Sequence, residues 1–164
     1  MADAFDWLPL TDADIGEVFA AAARLHPGLP ERAEVLAEKL RLFPAGCRKL
    51  AAAGRLAGYG LAHPWTLGSA PKLDAFLGAL PAAPGCLYLH DVAILPEARG
   101  RGAAGAYVDY LGRVAGELGL RRLALVSVYG TAPLWEKLGF AAVPAGAPPL
   151  PSYGPSAAYM LKPL

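Results

Sequence analysis

Three runs follow one another without interruption: LYLHDVAIL at residues 87–95, PEARGRGAAG at 96–105 and AYVDYLGRVAGEL at 106–118. The first is apolar and stops at Pro96, and the last places Tyr107, Leu111, Val114 and Leu118 at helical spacing. The order predicts strand, glycine-rich turn, helix. The first N–H groups of a helix have no intrahelical partner, and its dipole puts positive potential at that end, so a phosphate or pyrophosphate is the natural guest. Gly100, Gly102 and Gly105 remove β-carbons that would hold a ligand off the backbone, while Arg99 and Arg101 add charge. The stretch reads as a polyphosphate seat.

Gly100-Arg101-Gly102-Ala103-Ala104-Gly105 also matches the G-x-G-x-x-G fingerprint of dinucleotide-binding folds. Three features oppose that reading: Pro-Glu-Ala-Arg separates strand from first glycine, the next strand ends in Tyr129 where a ribose-binding acid belongs, and the motif lies past mid-chain. A P-loop requires Gly-Lys-Ser/Thr, which does not follow.

A different pattern covers nearly the whole chain. Arg99-Gly100-Arg101-Gly102-Ala103-Ala104 after Ile94-Leu95-Pro96 resembles the Arg/Gln-x-x-Gly-x-Gly/Ala element of the GNAT superfamily of acyl-CoA-dependent N-acetyltransferases. Leu134-Trp135-Glu136-Lys137-Leu138-Gly139-Phe140, with Ala132 before it, resembles that family's Tyr-Glu-x-x-Gly-Phe helix end. The two motifs in this order and spacing are strong together.

The resemblance implies an α/β fold: a mixed, mostly antiparallel central sheet, a splayed parallel strand pair and flanking helices. It implies acetyl-CoA as co-substrate, with pantetheine on the backbone of Val92, Ala93 and Ile94 and pyrophosphate on that of Arg101 to Gly105. An N–H near Val92 or Ala93 would face the thioester oxygen. The implied reaction is direct transfer of acetyl to a primary amine on a small-molecule or peptide acceptor, and a homodimer is a further expectation of the resemblance.

An amine is mostly ammonium at neutral pH and must lose a proton before attack, so the chemistry needs an acceptor for it. Strict alternation puts Tyr88, His90, Val92 and Ile94 on one face of the strand and Leu89, Asp91 and Ala93 on the other. The family's base, where a side chain serves, lies on the face of Tyr88 and His90. His90 is the first candidate, with a hydrogen-bonded core histidine as the competing reading; Asp91 ranks second, with a structural role as its alternative. Tyr129 stands where the family commonly has asparagine, and Trp135 where a tyrosine often protonates the departing thiolate. An indole N–H can hydrogen-bond to sulfur but cannot usefully release its proton. Tyr129 is therefore the candidate acid, and Trp135 a cofactor neighbour. A non-catalytic acyl-CoA-binding sensor is the alternative function.

The remaining features set bounds. The 164 residues suit one domain, residues 1–164, with a net charge of +1 that gives no electrostatic case for nucleic acid. The uncharged windows Leu56 to Pro71 and Ala141 to Leu161 are broken by Pro and Gly, so neither reads as a membrane helix. The acidic start Met1-Ala2-Asp3-Ala4-Phe5-Asp6 stands where a secretory signal would be basic, and a cytoplasmic location is the expectation. Cys47 and Cys86 read as buried reduced thiols on strands, and His26, His63 and His90 lack metal-ligand spacing.

A strand is expected near Phe5 to Leu8, then a helix capped at Thr11 with Ile15, Phe19, Ala22 and Ala23 on one face, and a second helix from Glu31 to Leu42. By resemblance these helices border the acceptor cleft. Ala53-Gly54 predicts a hairpin. The long segment Pro64 to Gly85 predicts helical character at Leu73 to Leu77 and serves as either a lid or a surface connection. Leu123 to Val128 reads as a buried parallel strand, residues 144–155 as an irregular connection, and Ala157 to Leu161 as a last strand.

Overall fold

The computed structural model describes residues 4–143 and 149–164. Of the predicted irregular connection, residues 144–148 lie outside the described part, as do residues 1–3 of the acidic start. The strands are β1 at Asp6–Pro9, β2 at Arg48–Ala52, β3 at Arg55–Trp65, β4 at Cys86–Ile94, β5 at Arg122–Ser127, β6 at Ala141–Ala142 and β7 at Ala158–Pro163. They form one sheet in the order β1-β2-β3-β4-β5-β7-β6. Among the described residues only β4 and β5 are parallel neighbours. This is the mixed, mostly antiparallel architecture expected from the sequence.

Helices α1 (Ile15–Leu25) and α2 (Ala33–Leu42) cover one face, and α3 (Ala103–Glu117) covers the other. A short α4 spans Ala132–Lys137. No helix among the described residues is long and apolar enough to cross a membrane. The β2–β3 turn forms because Ala53 and Gly54 both take positive φ, 49° and 75°, the twist that a two-residue hairpin turn requires. On the α3 face, Tyr107, Val108 and Leu111 pack with Leu87, Leu89, Leu123, Leu125 and Met160. On the other, Val18, Ala22, Leu36 and Leu40 pack with Tyr59, Leu61 and Ala93. Both cysteines are buried and free, Cys86 opening β4 and Cys47 lying just before β2.

Three expectations change. The buried face of α1 is Val18, Ala21 and Ala22, whereas Phe19 is 41% exposed and Ala23 faces solvent. The true stripe is one valine and two alanines, so the larger Phe19 misleads a reading by hydrophobicity.

Residues Leu73 to Leu77 are not helical. Side chains of α2 and of the residues before it take the backbone groups a helix would use. Glu38 accepts from the N–H of Leu77 (2.6 Å) and Gly78 (3.0 Å), Glu31 from that of Asp74 (3.1 Å), and Lys39 donates to the Ala75 carbonyl (3.2 Å). At its other end the segment is tied by Tyr153 to the Pro71 carbonyl and by the Gly68 N–H to Tyr159. It is a strap laid over the α2 side of the sheet.

Strand β4 does not alternate strictly. Leu61 pairs with Asp91 and Ala62 with Leu89, so His90 is an extra residue, a β-bulge. Leu87 and Leu89 before the bulge, and Val92 and Ile94 after it, face α3 and the start of that helix. Tyr88, His90, Asp91 and Ala93 face the α1–α2 side. The expected grouping of His90 with Val92 and Ile94, opposite Asp91, is therefore corrected: one inserted residue changes the parity of all that follow.

Tyr107 of α3 lies flat on β3 because Gly60 offers no side chain. A Cβ there would sit 2.3–2.5 Å from three atoms of the Tyr107 ring, whose hydroxyl is held by the Gly46 carbonyl. Gly60→Ala should lower unfolding free energy by about 1–3 kcal/mol in urea denaturation. An unchanged midpoint would show that the ring moves freely.

Candidate functional site

The strand, glycine turn and helix form where the motif predicts them, with one change of role. Gly100 and Gly102 both take φ of +75°, and a Cβ at either would meet nothing within 4 Å, so the surface above them is open. Gly102 is the N-cap of α3. The first hydrogen bond of the helix runs from the Ala106 N–H to the Gly102 carbonyl (3.0 Å), which leaves the N–H groups of Ala103, Ala104 and Gly105 ahead of the intrahelical ladder. Arg99 turns back, its Nε donating to the Ile94 carbonyl at 3.0 Å, and so closes the turn. The Arg101 guanidinium lies 4.6 Å from the centre of the Phe5 ring.

Beside the seat the parallel pair parts. β4 meets β5 only at Leu87–Leu123, Tyr88–Ala124 and Leu89–Leu125. Past that point β4 stays on β3 as far as Ile94, and β5 stays on β7 as far as Ser127. Val92, Ala93 and Ile94 thus have a strand partner on one side only, an edge open to an extended ligand.

The bulge delivers two titratable side chains to the α1–α2 connection. His90 Nε2 lies 2.9 and 3.0 Å from the two oxygens of Glu31, both side chains nearly or wholly buried. For Glu31, burial pushes the carboxyl pKa up, but the charge and hydrogen bond of His90, with Lys39 and the Asp74 N–H, outweigh it and hold the group below its ordinary value. An ionised carboxylate only accepts, so Nε2 carries a proton, and a neutral imidazole in this tautomer would keep its lone pair on Nδ1. Such an imidazole can take a proton and be stabilised by the carboxylate behind it.

Asp91, at the next position, accepts from the Tyr59 hydroxyl at 2.6 Å and lies 3.2 Å from His26 Nε2. The Tyr59 phenol is pushed well up by burial and by the Asp91 charge, so it stays a donor. The His26 ring stacks on Tyr129 at 6.0 Å and 9°. Tyr129 is 52% exposed and has φ of +54°, a strained conformation for its residue type, where the chain leaves β5. Asp91 and Tyr129 are thus joined through His26, and His90 belongs to a separate buried pair. Trp135 is buried against Phe140, edge to face at 5.9 Å, within the α3-side core.

Sequence reasoning gave Glu31, His26 and Tyr59 no functional role. Glu31 is 59 positions from His90 and Tyr59 is 32 from Asp91, and no local pattern signals such pairings. His63, wholly buried, is a further omission. Burial, then the neighbouring His90, pushes its pKa down to about 3, so it is neutral at any ordinary pH.

Against known proteins, the acetyltransferase (GNAT) family profile matches residues 15–140. The chain belongs to that family. No protein of curated function matches the sequence. Among solved structures, Ard1 from Thermoplasma volcanium superposes with a TM-score of 0.73 at 14% identity, covering 98% of each chain. The ribosomal-protein-S18-alanine N-acetyltransferase of Escherichia coli gives 0.68 at 17%, covering 98% of this chain and 94% of that one. The GphF GNAT-like decarboxylase in complex with isobutyryl-CoA gives 0.73 at 16%, covering 96% and 98%. At these identities the likeness is one of fold.

The Asp91 hydrogen bond raises the His26 pKa against the opposing effect of burial. A raised histidine stabilises the fold fully below its unfolded value of about 6.5 and loses that contribution as pH rises through the folded value. His26→Gln should therefore cost more stability near pH 5.5 than near pH 9, by up to about 1 kcal/mol, read as the difference in Tm loss at the two pH values. An equal loss at both would mean that His26 is not charged in the folded chain.

Proposed function

We propose that the chain is a single-domain N-acetyltransferase that moves the acetyl group of acetyl-CoA directly to a primary amine of a small molecule or peptide. One observation carries the reading: a single strand, β4, combines an edge open beside the glycine seat with a buried His90–Glu31 pair at its bulge. The seat suits a diphosphate: two positive-φ glycines with nothing in their Cβ space precede first-turn N–H groups. The open edge suits an amide-bearing arm. Acetyl-CoA supplies the activated acetyl thioester.

Within this reading Arg101, Gly102, Ala103, Ala104 and Gly105 hold the pyrophosphate through the backbone, with Gly100 and the side chain of Arg99 shaping the turn. The backbone of Val92, Ala93 and Ile94 orients the arm and offers N–H donors to the thioester oxygen. His90 takes the amine proton at Nδ1, directly or through water, and Glu31 balances the imidazolium. Asp91, with His26 and Tyr59, shapes the acceptor side. Tyr129 is the candidate proton donor to the thiolate. A thiol with a pKa near ~8.5 leaves tolerably even without one. A cytoplasmic setting accords with the two free buried thiols.

The alternative is an acyl-CoA sensor without turnover. It draws on Trp135, whose indole lies in the core where relatives of this family often carry a phenol. Release of CoA in the presence of an amine separates the two.

Calorimetry with acetyl-CoA should show binding to the wild type and to Gly102→Ala, but none to Gly102→Glu. The alanine variant shares the backbone strain at φ +75° and lacks the charge. Equal binding by both variants would move the pyrophosphate elsewhere. On an accepted amine, His90→Gln should lower kcat about a hundredfold while leaving acetyl-CoA affinity unchanged.

A further inference from the structure

The α2 side of the sheet holds polar atoms that the proposed chemistry leaves unused. The His63 ring centre lies 5.3 Å from that of Trp65, 5.6 Å from Tyr88 and 6.0 Å from His90. His63 and Tyr88 are wholly buried, as is the His90 side chain. Three atoms of this cluster, His63 Nε2, His90 Nδ1 and Trp65 Nε1, are buried without a hydrogen-bond partner, and the Tyr88 hydroxyl has only that of Tyr153 beside it. Each such group is costly if nothing satisfies it, and native interiors rarely collect several together.

Their chemistry says what fits. His63 Nδ1 lies 3.0 Å from the Pro64 carbonyl, which can only accept, so Nδ1 carries the proton and Nε2 is a lone-pair acceptor. With Nε2 donating to Glu31, His90 acting as the base presents its acceptor at Nδ1. Two acceptors cannot bond to each other. Trp65 brings one donor, and the Tyr88 hydroxyl is turned to that of Tyr153. Water, which gives two hydrogen bonds and takes two, complements this set.

We propose that His63 is a positioning residue for His90, acting through a bound water that donates to His63 Nε2 and His90 Nδ1 and relays the proton of the acceptor amine. The inference rests on the reading of His90 as base. As the amine N–H bond breaks toward the water oxygen, the water's own proton passes to His90 Nδ1. The water is regenerated, and the imidazolium faces the Glu31 carboxylate. His63 takes no proton. It holds the second O–H of the water, so that a lone pair is left for the amine. Its neutrality suits that role, since a charged His63 would donate where an acceptor is needed. The charged groups around the cluster are Glu31 before α2 and Lys39 on α2, with the Tyr153 hydroxyl also near.

Long-range proton–nitrogen NMR on the full chain should find His63 in its Nδ1–H form at every pH between about 6 and 8. The ring protons of His63 and His90 should both receive magnetisation from one long-lived water. His63→Phe should abolish that transfer to His90 and lower kcat about tenfold or more, with acetyl-CoA affinity unchanged. His63→Gln keeps an acceptor oxygen at similar reach and should restore most of the rate. An Nε2–H form of His63, absence of the water signal, or a glutamine variant as slow as the phenylalanine one would overturn the proposal. If His63→Phe does not fold, the wild-type spectra and the glutamine variant decide. Should no amine be acetylated by the wild type, the functional reading falls, while the tautomer and water signals still decide for or against the bridged pair.

Discussion

The extra residue at His90 is the constraint on which the site depends. Without the bulge, Asp91 would face α3, and Val92 would face the α1–α2 side. With it, His90 and Asp91 both reach the connection between α1 and α2, where Glu31 and His26 meet them. The bulge also falls where β4 loses β5, so the strand that bends toward the α1–α2 side is the one whose other edge opens beside the glycine turn. Two local irregularities on one strand bring an open edge and a buried histidine–carboxylate pair together.

The buried charges make this arrangement costly to disturb. Glu31 serves two partners: it accepts from His90 and from the Asp74 N–H of the strap. Lys39 is wholly buried and lowered mainly by burial, with Glu31, Glu38 and Asp74 opposing that shift, and it donates to the Ala75 carbonyl. Breaking one member of such a set leaves another buried and uncompensated, at a cost of roughly 3–5 kcal/mol. The strap is thus fixed by the same carboxylate that orients His90, which links Pro64 to Gly85 physically to that pair.

Most of the fold was legible because its signals are local. Strand β4, the glycine turn, α3 and the Ala53-Gly54 hairpin each follow from periodicity or from a backbone position that asks for positive φ. What local pattern cannot carry was missed. An inserted residue in a strand leaves no mark in composition, so the faces after His90 came out reversed. Leu73 to Leu77 has helical composition, but Glu38 and Glu31 capture its amides from other parts of the chain. The seat was readable as far as its glycines. The role of Arg99 in closing the turn and the pairing of His90 with Glu31 depend on tertiary approach.

The account stands on acetyl-CoA lying along the parted edge of β4 and over the start of α3. Amide resonances followed during titration with acetyl-CoA test this directly. The account predicts that the largest shifts cluster at Val92, Ala93 and Ile94 and from Arg101 to Gly105, with smaller ones at Tyr129. Saturable shifts confined to another surface, or none at these amides at saturating acetyl-CoA, would contradict it.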